Sequence, residues 1–304
     1  MNILVSGCLG HIGSKLINEL SKNKSFKIYG VDSNNSNNLN VIYNLKKKNF
    51  NFFLEDLINF DFKKKIKKKI DLIIHLASTT NAEKSISNKQ SYKKNNLGCF
   101  DAILKIAKYY DSKLIHISST SVYGISSKLV DETLIAKYLK PQSPYAEIKL
   151  QEENILKKEN IDFISLRFGT IVGTSVGMRF HTAVNKFCLN AVFDKDIPVW
   201  SSAYNQYRPY LSLTDAIKVL IFLAKYKKNF DRGIYNVVTK NYKVKEIIQI
   251  LKKHLNKKIK IKYINSKIMN QLSYKVSSQK IVKLGYKFKA NISLDIKEII
   301  KYLK

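Results

Sequence analysis

The chain has 304 residues, 45% of them hydrophobic, and a formal net charge of +31. Length and apolar share suit one large globular unit or two smaller ones and exclude a disordered chain. The charge points first to nucleic acid or an anionic membrane, but only four of the 54 basic residues are arginine and the lysines are scattered, so a genome rich in A/T codons accounts for it and neither partner is expected.

The opening Met1-Asn2-Ile3-Leu4-Val5 reads as a strand, Asn2–Ser6, rather than as a leader. No apolar run approaches a membrane span, and the expectation is a cytoplasmic protein. Gly7-Cys8-Leu9-Gly10-His11-Ile12-Gly13 follows that strand and opens a helix over His11–Lys22. Glycines between strand and helix let the backbone approach a pyrophosphate, and the helix N-terminus supplies N–H groups and a positive dipole. Phe26–Val31 is the next strand, and Asp32 stands at its end. A carboxylate at that offset accepts from a ribose 2′-hydroxyl and repels a 2′-phosphate, which favours NAD over NADP.

Ser33–Asn40 is a polar loop, Asn51–Leu54 a strand, and Lys63–Lys69 the solvated face of a short helix. Asp71–Leu76 is a strand, a long helix surrounds Ser91–Tyr110, and Lys113–Ile117 is a strand that runs into Ser118-Ser119-Thr120-Ser121-Val122-Tyr123-Gly124. Pro144–Lys158 is a helix with Pro144 in its first turn and Ser143 as its cap. Tyr145 and Lys149 are four residues apart on it, one above the other on one face. Asp162–Arg167 is a strand. These strands are apolar without alternation, as in a parallel sheet covered on both faces, and their alternation with helices predicts a doubly wound α/β fold. Beyond residue 168 the pattern loosens. Polar loops and a helix near Thr182–Val192 precede a helix at Thr214–Lys227, a strand at Gly233–Val238, a helix at Lys243–Leu255, a strand at Lys258–Tyr263 and a helix from Ser293. Cys8, Cys99 and Cys188 have no metal spacing and read as buried free thiols. Arg167, Arg179 and Arg208 fall in one region of the sequence, where arginine suits phosphate, although Arg167 at a strand end reads as structural.

Taken together, these motifs resemble the extended short-chain dehydrogenases/reductases, the NAD-dependent sugar-nucleotide epimerases and dehydratases, over nearly the whole chain. Pro141-Gln142-Ser143-Pro144-Tyr145 is especially similar to UDP-galactose 4-epimerases. The resemblance implies a Rossmann domain over 1–168, with 210–238 returning to it, and a smaller C-terminal nucleotide-sugar-binding lobe from 169–209 and 239–304. It implies Ser119, Tyr145 and Lys149 as the catalytic triad. It implies NAD contacts from Gly7, Gly10, His11, Ile12, Gly13, Asp32, Asp56, Leu57, Leu76, Ala77, Ser78 and Asn95, together with Tyr145 and Lys149. Thr120, Thr170, Arg179 and Arg208 are implied for a nucleotide-diphosphate sugar, UDP-linked, with no metal. A homodimer and a place in polysaccharide biosynthesis are further implications of the family.

Departures from the family narrow the reaction. Where its 4,6-dehydratases carry an Asp-Glu pair, this chain has Thr120 and Ser121. Elimination of water needs a proton donor and acceptor that two hydroxyls do not supply, so 4-epimerisation is the expectation. A 4-ketoreductase or 4,6-dehydratase is the alternative, and an NAD-binding sensor or scaffold is the reading of a different class. For Tyr145 to act as a base near neutrality its pKa of about 10 must fall by roughly three units, about 4 kcal/mol. One ammonium ~5 Å away at an effective dielectric of ~20 supplies about 3 kcal/mol. Lys149 alone is marginal for this, and Lys149 with a positive nicotinamide ring suffices.

Overall fold

Runs such as Ile3-Leu4-Val5 and Ile73-Ile74 have no polar face, and the sheet they enter is buried on both sides. The computed structural model describes residues 1–33, 40–43, 49–126, 128–265 and 273–304. Most of the polar loop at Ser33–Asn40 lies outside the described residues. The large sheet takes β1 (Asn2–Ser6), β2 (Lys27–Asp32), β3 (Phe50–Leu54), β4 (Leu72–His75) and β5 (Lys113–Ser119). After the two-residue strand β6 (Leu129–Val130) it resumes with β7 (Phe163–Phe168) and, after β8 (Thr170–Val172), β9 (Ile197–Trp200) and β10 (Tyr207–Ser212), with β11 (Ile234–Val237). Its seven strands are all parallel in the order β11-β7-β5-β4-β1-β2-β3. The chain runs outward from β1 to β3, then returns to β4 and runs the other way. That reversal opens a crevice beyond the carboxyl ends of β1 and β4, where doubly wound sheets bind ligands.

Helix α1 (His11–Ser21) covers one face; three short helices, α2 (Asn40–Tyr43), α3 (Phe62–Lys65) and α4 (Lys84–Ser87), precede α5 (Lys89–Tyr110) and α6 (Pro144–Lys158), which cover the other. α7 (Ala183–Val192) is followed by α8 (Leu213–Ala224), which packs beside α1. Ser143 caps α6 as its sequence predicts, its Oγ accepting from Ala146 N at 3.2 Å. The short helix α3 covers less of the lysine run than expected: Ile66, in the middle of that run, is a core residue, and the lysines around it face solvent.

The smaller lobe has a core of its own, with Val184, Phe187 and Cys188 of α7 meeting α9 (Val244–Leu255) and α11 (Ile292–Leu303), the helix that follows α10 (Gln279–Lys283). Of its strands, the sequence anticipates the one near Lys258–Tyr263 and misses the others. β8 and β10 are parallel neighbours and β12 (Lys240–Lys243) closes a three-stranded sheet, while β13 (Ile261–Ile264) pairs with β9 and β14 (Lys275–Val276) with β6. These strands have two to six residues, too few to print a period on the sequence. β10 belongs to the small sheet and β11 to the large one, so the chain returns to the first unit after Ser212. Fully buried Asp215 in the first turn of α8 secures that return, accepting from Tyr286 Oη, the amides of Lys289 and Ala290, and Thr239 Oγ1.

One buried carboxylate is less well served. Asp295 of α11 is 6% exposed and its Oδ2 has no hydrogen-bond partner. Burial pushes its pKa from 3.8 up to about 6. A carboxyl whose folded pKa is raised contributes fully below 3.8, and stability is lost as pH rises from there through about 6. Asp295→Asn is expected to raise stability at neutral pH by about 2 kcal/mol, with the gain vanishing below the lower limit of that window, as urea titrations across pH will read.

Candidate active site

The turn after β1 cannot carry side chains at two of its glycines. Gly7 has φ +70°, and a Cβ there would lie 2.6 Å from Ala77 N; at Gly13 it would lie 2.2 Å from Gly7 O. The β1 turn therefore presses directly on the Leu76-Ala77 segment after β4 and on the first turn of α1, and its backbone is open to a ligand. Asp32 Oδ2 accepts from Leu9 N at 2.8 Å, which ties the end of β2 to the same turn. His11 is 7% exposed; its Nδ1 pairs with Ser175 Oγ at 2.7 Å and its Nε2 has no partner. Burial, with the nearby Arg179 and Lys15 cations, pushes its pKa down to about 3, so it is neutral. Ser78 Oγ is likewise buried without a partner.

The glycine turn, His11 and Ser78 border a cavity of about 410 Å³. Gly7, Gly10, His11, Ile12, Gly13, Leu76 and Ser78 line one part of it; Ser119, Thr120, Tyr145, Lys149, Thr170, Arg179 and Arg208 line the rest. Five of the expected cofactor residues stand outside that lining. Asp32 and Ala77 lie directly behind the glycine turn. Asp56 caps the turn Leu57–Asn59 by accepting from Ile58 N at 3.0 Å, and Leu57 is part of the core beneath α5. Asn95 Nδ2 donates to Thr79 Oγ1 and to Asn96 Oδ1. The tighter clamp on that loop is Asn96, fully buried and bonded to both the N–H and the C=O of Thr79, a residue missed from sequence because the family resemblance points to its neighbour Asn95.

The three arginines do not converge. Arg167 faces away from the cavity, in a bidentate pair with buried Glu153 (2.8 and 2.6 Å), and stacks over Tyr123. Arg179 donates to Thr80 Oγ1 at 2.9 Å, and its Nη2 lies 3.5 Å from where a Gly10 Cβ would be. Arg208 bonds only to Tyr207 O and Gln206 Oε1 among the described residues, and burial lowers its pKa. Two half-buried guanidiniums with no acid in contact among the described residues are what a diphosphate neutralises.

At the catalytic end, Ser121 Oγ donates to Ser119 Oγ at 2.8 Å, and Thr120 Oγ1 donates to Phe168 O at 3.3 Å. Glu83, an exposed residue, is the single carboxylate among the described lining residues. Lys149 is 3% exposed, and it is not the lone charge assumed from sequence: its Nζ donates to fully buried Glu152 at 2.8 Å. Burial alone lowers the pKa of Lys149, but Glu152 and Tyr145 together hold it above the usual lysine value. Burial raises that of Tyr145; Lys149 lowers it, Glu152 raises it again, and Ser119 and Arg179 lower it, leaving a net rise. The protein by itself therefore keeps Tyr145 protonated. Local spacing does not reveal this, because a glutamate three residues beyond a lysine is normally a surface pair.

The glycine turn, Asp32, and the unpartnered Ser78 Oγ and His11 Nε2 fit a dinucleotide whose pyrophosphate crosses the α1 N-terminus. Asp32→Ala is expected to weaken NAD⁺ binding about tenfold, measured by calorimetry on the purified protein.

Known proteins agree with this geometry. The model of the NAD dependent epimerase/dehydratase family matches residues 3–237. A protein of uncharacterised role from Methanocaldococcus jannaschii is 32% identical over 99% of this chain and 95% of its own length. A trifunctional UDP-glucose 4,6-dehydratase/UDP-4-keto-6-deoxy-D-glucose 3,5-epimerase/UDP-4-keto-L-rhamnose-reductase of Arabidopsis thaliana is 26% identical over 94% of this chain, which spans 44% of that longer enzyme. A crystal structure of UDP-glucuronic acid 4-epimerase from Bacillus cereus, in complex with UDP-glucuronic acid and NAD, superposes with a TM-score of 0.91 at 27% identity, covering 100% of this chain and 99% of the other. The chain belongs to the NAD-dependent epimerase/dehydratase family.

Proposed function

We propose that the protein is an NAD-dependent nucleotide-sugar 4-epimerase acting on a UDP-linked sugar. The observation that carries this reading is the catalytic end of the cavity. Ser119, Tyr145 and Lys149 border it together, and only hydroxyls follow Ser119. Inversion at C4 needs one base that takes and returns one proton, whereas elimination of water needs a further acid and base beside C5 and C6. UDP-glucuronic acid is the first substrate to test, because the similar Bacillus cereus structure holds it.

Bound NAD⁺ supplies a hydride acceptor that can return what it takes. The chain's own residues do the rest. Tyr145 accepts the proton of the sugar 4-hydroxyl as the C4 hydrogen leaves. Ser119 donates a hydrogen bond to the same oxygen and holds the 4-keto sugar. Arg208 and Arg179 grip the diphosphate while the ketose turns, which presents its opposite face for the returning hydrogen; Tyr145 then gives the proton back. Lys149 favours the ionised form of Tyr145 throughout. A cytoplasmic location, a homodimer joined along α5 and α6, and a role in supplying sugars for polysaccharides complete the reading, on family resemblance.

Incubation of the protein and NAD⁺ with UDP-glucuronic acid, UDP-glucose, UDP-N-acetylglucosamine and dTDP-glucose, with products read by NMR, tests it. C4 inversion without net NADH formation is the expected outcome. A 4-keto-6-deoxy product identifies a dehydratase instead, and no inversion on any of them sinks the proposal. Tyr145→Phe is expected to lower kcat by about 10²–10⁴-fold, and Arg208→Ala to raise KM more than it lowers kcat.

A further inference from the structure

Glu152 and His116 form a polar cluster that the chemistry above does not use. Glu152 is fully buried, and its Oε2 receives two hydrogen bonds: from Lys149 Nζ at 2.8 Å and from His116 Nε2 at 2.9 Å. His116, on β5, is also fully buried, and its Nδ1 pairs with Ser165 Oγ of β7 at 2.9 Å. Burial holds the imidazole below its usual pKa against the pull of Glu152, so it is neutral. Its Nε2–H then points to Glu152, and Nδ1 accepts from the Ser165 hydroxyl. The histidine is a fixed donor that sets the carboxylate's place.

This second carboxylate does more than help to dock the helix. Glu153, the next residue, already ties α6 to the sheet through Arg167 and Ser118. The groups that bear on Glu152 and Lys149 are Tyr145 and Glu153 on α6, His116 on β5, His75 on β4, Cys99 on α5 and, against Tyr145, Arg179. Glu153 is matched by Arg167, and His75 and His116 are neutral. The one anion in contact with the Lys149 ammonium among the described residues is Glu152.

We propose that Glu152, oriented by His116, is a positioning residue for the Tyr145–Lys149 pair, pinning the ammonium and offsetting its charge so that the pair keeps both protons until a second positive charge arrives. This rests on the reading of Tyr145 as the base. The second charge is that of the oxidised nicotinamide, so the base forms with NAD⁺ bound and is lost when that charge is lost. Proton uptake by Tyr145 is thereby tied to the redox state of the site. Without Glu152 the buried pair carries an uncompensated positive charge and releases its first proton at lower pH.

The test titrates Tyr145 in the NAD⁺-loaded protein by phenolate absorbance, taken as the difference from Tyr145→Phe. In Glu152→Gln the Tyr145-dependent step is expected about one pH unit lower than in the parent, and the acidic limb of C4 inversion moves with it. Glu152→Asp keeps the charge but draws it back, and is expected to give a smaller shift in the same direction. A folded Glu152→Gln whose step is unmoved, with activity reduced equally at every pH, overturns the proposal and leaves a packing role. Where Glu152→Gln does not fold, an unmoved step in Glu152→Asp overturns it equally. The absorbance titration needs no substrate, so it stands apart from any failure to find C4 inversion.

Discussion

Two adjacent carboxylates, Glu152 and Glu153, are buried on one helix with almost no exposure. A buried carboxylate is tolerated only where a cation or several donors meet it. Glu153 is met by the fork of Arg167 and by Ser118, which ties α6 to β7 and β5. Glu152 is met by Lys149 and His116, which ties the same helix to β5 one residue earlier. Between them these contacts fix the rotation of α6 about its axis, and that rotation brings Tyr145 and Lys149 to the cavity wall. If one partner were lost, a charge would be stranded in the core, so the helix has a single acceptable seating.

The cavity is assembled from turns that the sheet brings together. The β1 turn, the segment after β4, the end of β5 and the segment after β7 all open at the carboxyl edge beside the reversal in strand order. The smaller lobe closes over them with α7 and with β10, which carries Arg208. Its two cavity arginines sit without acidic contacts among the described residues, whereas Arg167, on the large sheet, is paired with Glu153.

The buried pair also alters what the tyrosine can do. A lone ammonium beside a phenol pulls its proton off; an ammonium matched by a carboxylate does so far less, because the pair's field falls steeply with distance. Tyr145 is consequently held as a phenol by its own protein. On the proposed reading, the base then belongs to the complex with oxidised cofactor rather than to the side chain.

Much of the architecture was legible from local signals. Apolar runs without alternation marked the parallel strands, and the glycine turn with Asp32 after the second strand marked the dinucleotide edge. Ser119, Tyr145 and Lys149 are what the family resemblance implies as a triad, and all three border the cavity. Apart from the strand near Lys258–Tyr263, the short strands of the smaller lobe were not legible, because segments of a few residues carry no measurable period and are held by partners distant in sequence. Nor were the partners of the ionisable groups. Arg167, Arg179 and Arg208 are close in sequence, yet only pairing in space separates the structural one from the two that face the cavity. Glu152 has no role in the sequence motifs, and the fold buries it with Lys149 and a histidine from another strand. Local sequence determined which residues could do chemistry, because turn geometry and helical spacing are short-range properties. Tertiary structure alone decided their charge, because charge in a protein interior depends on what the fold places around it.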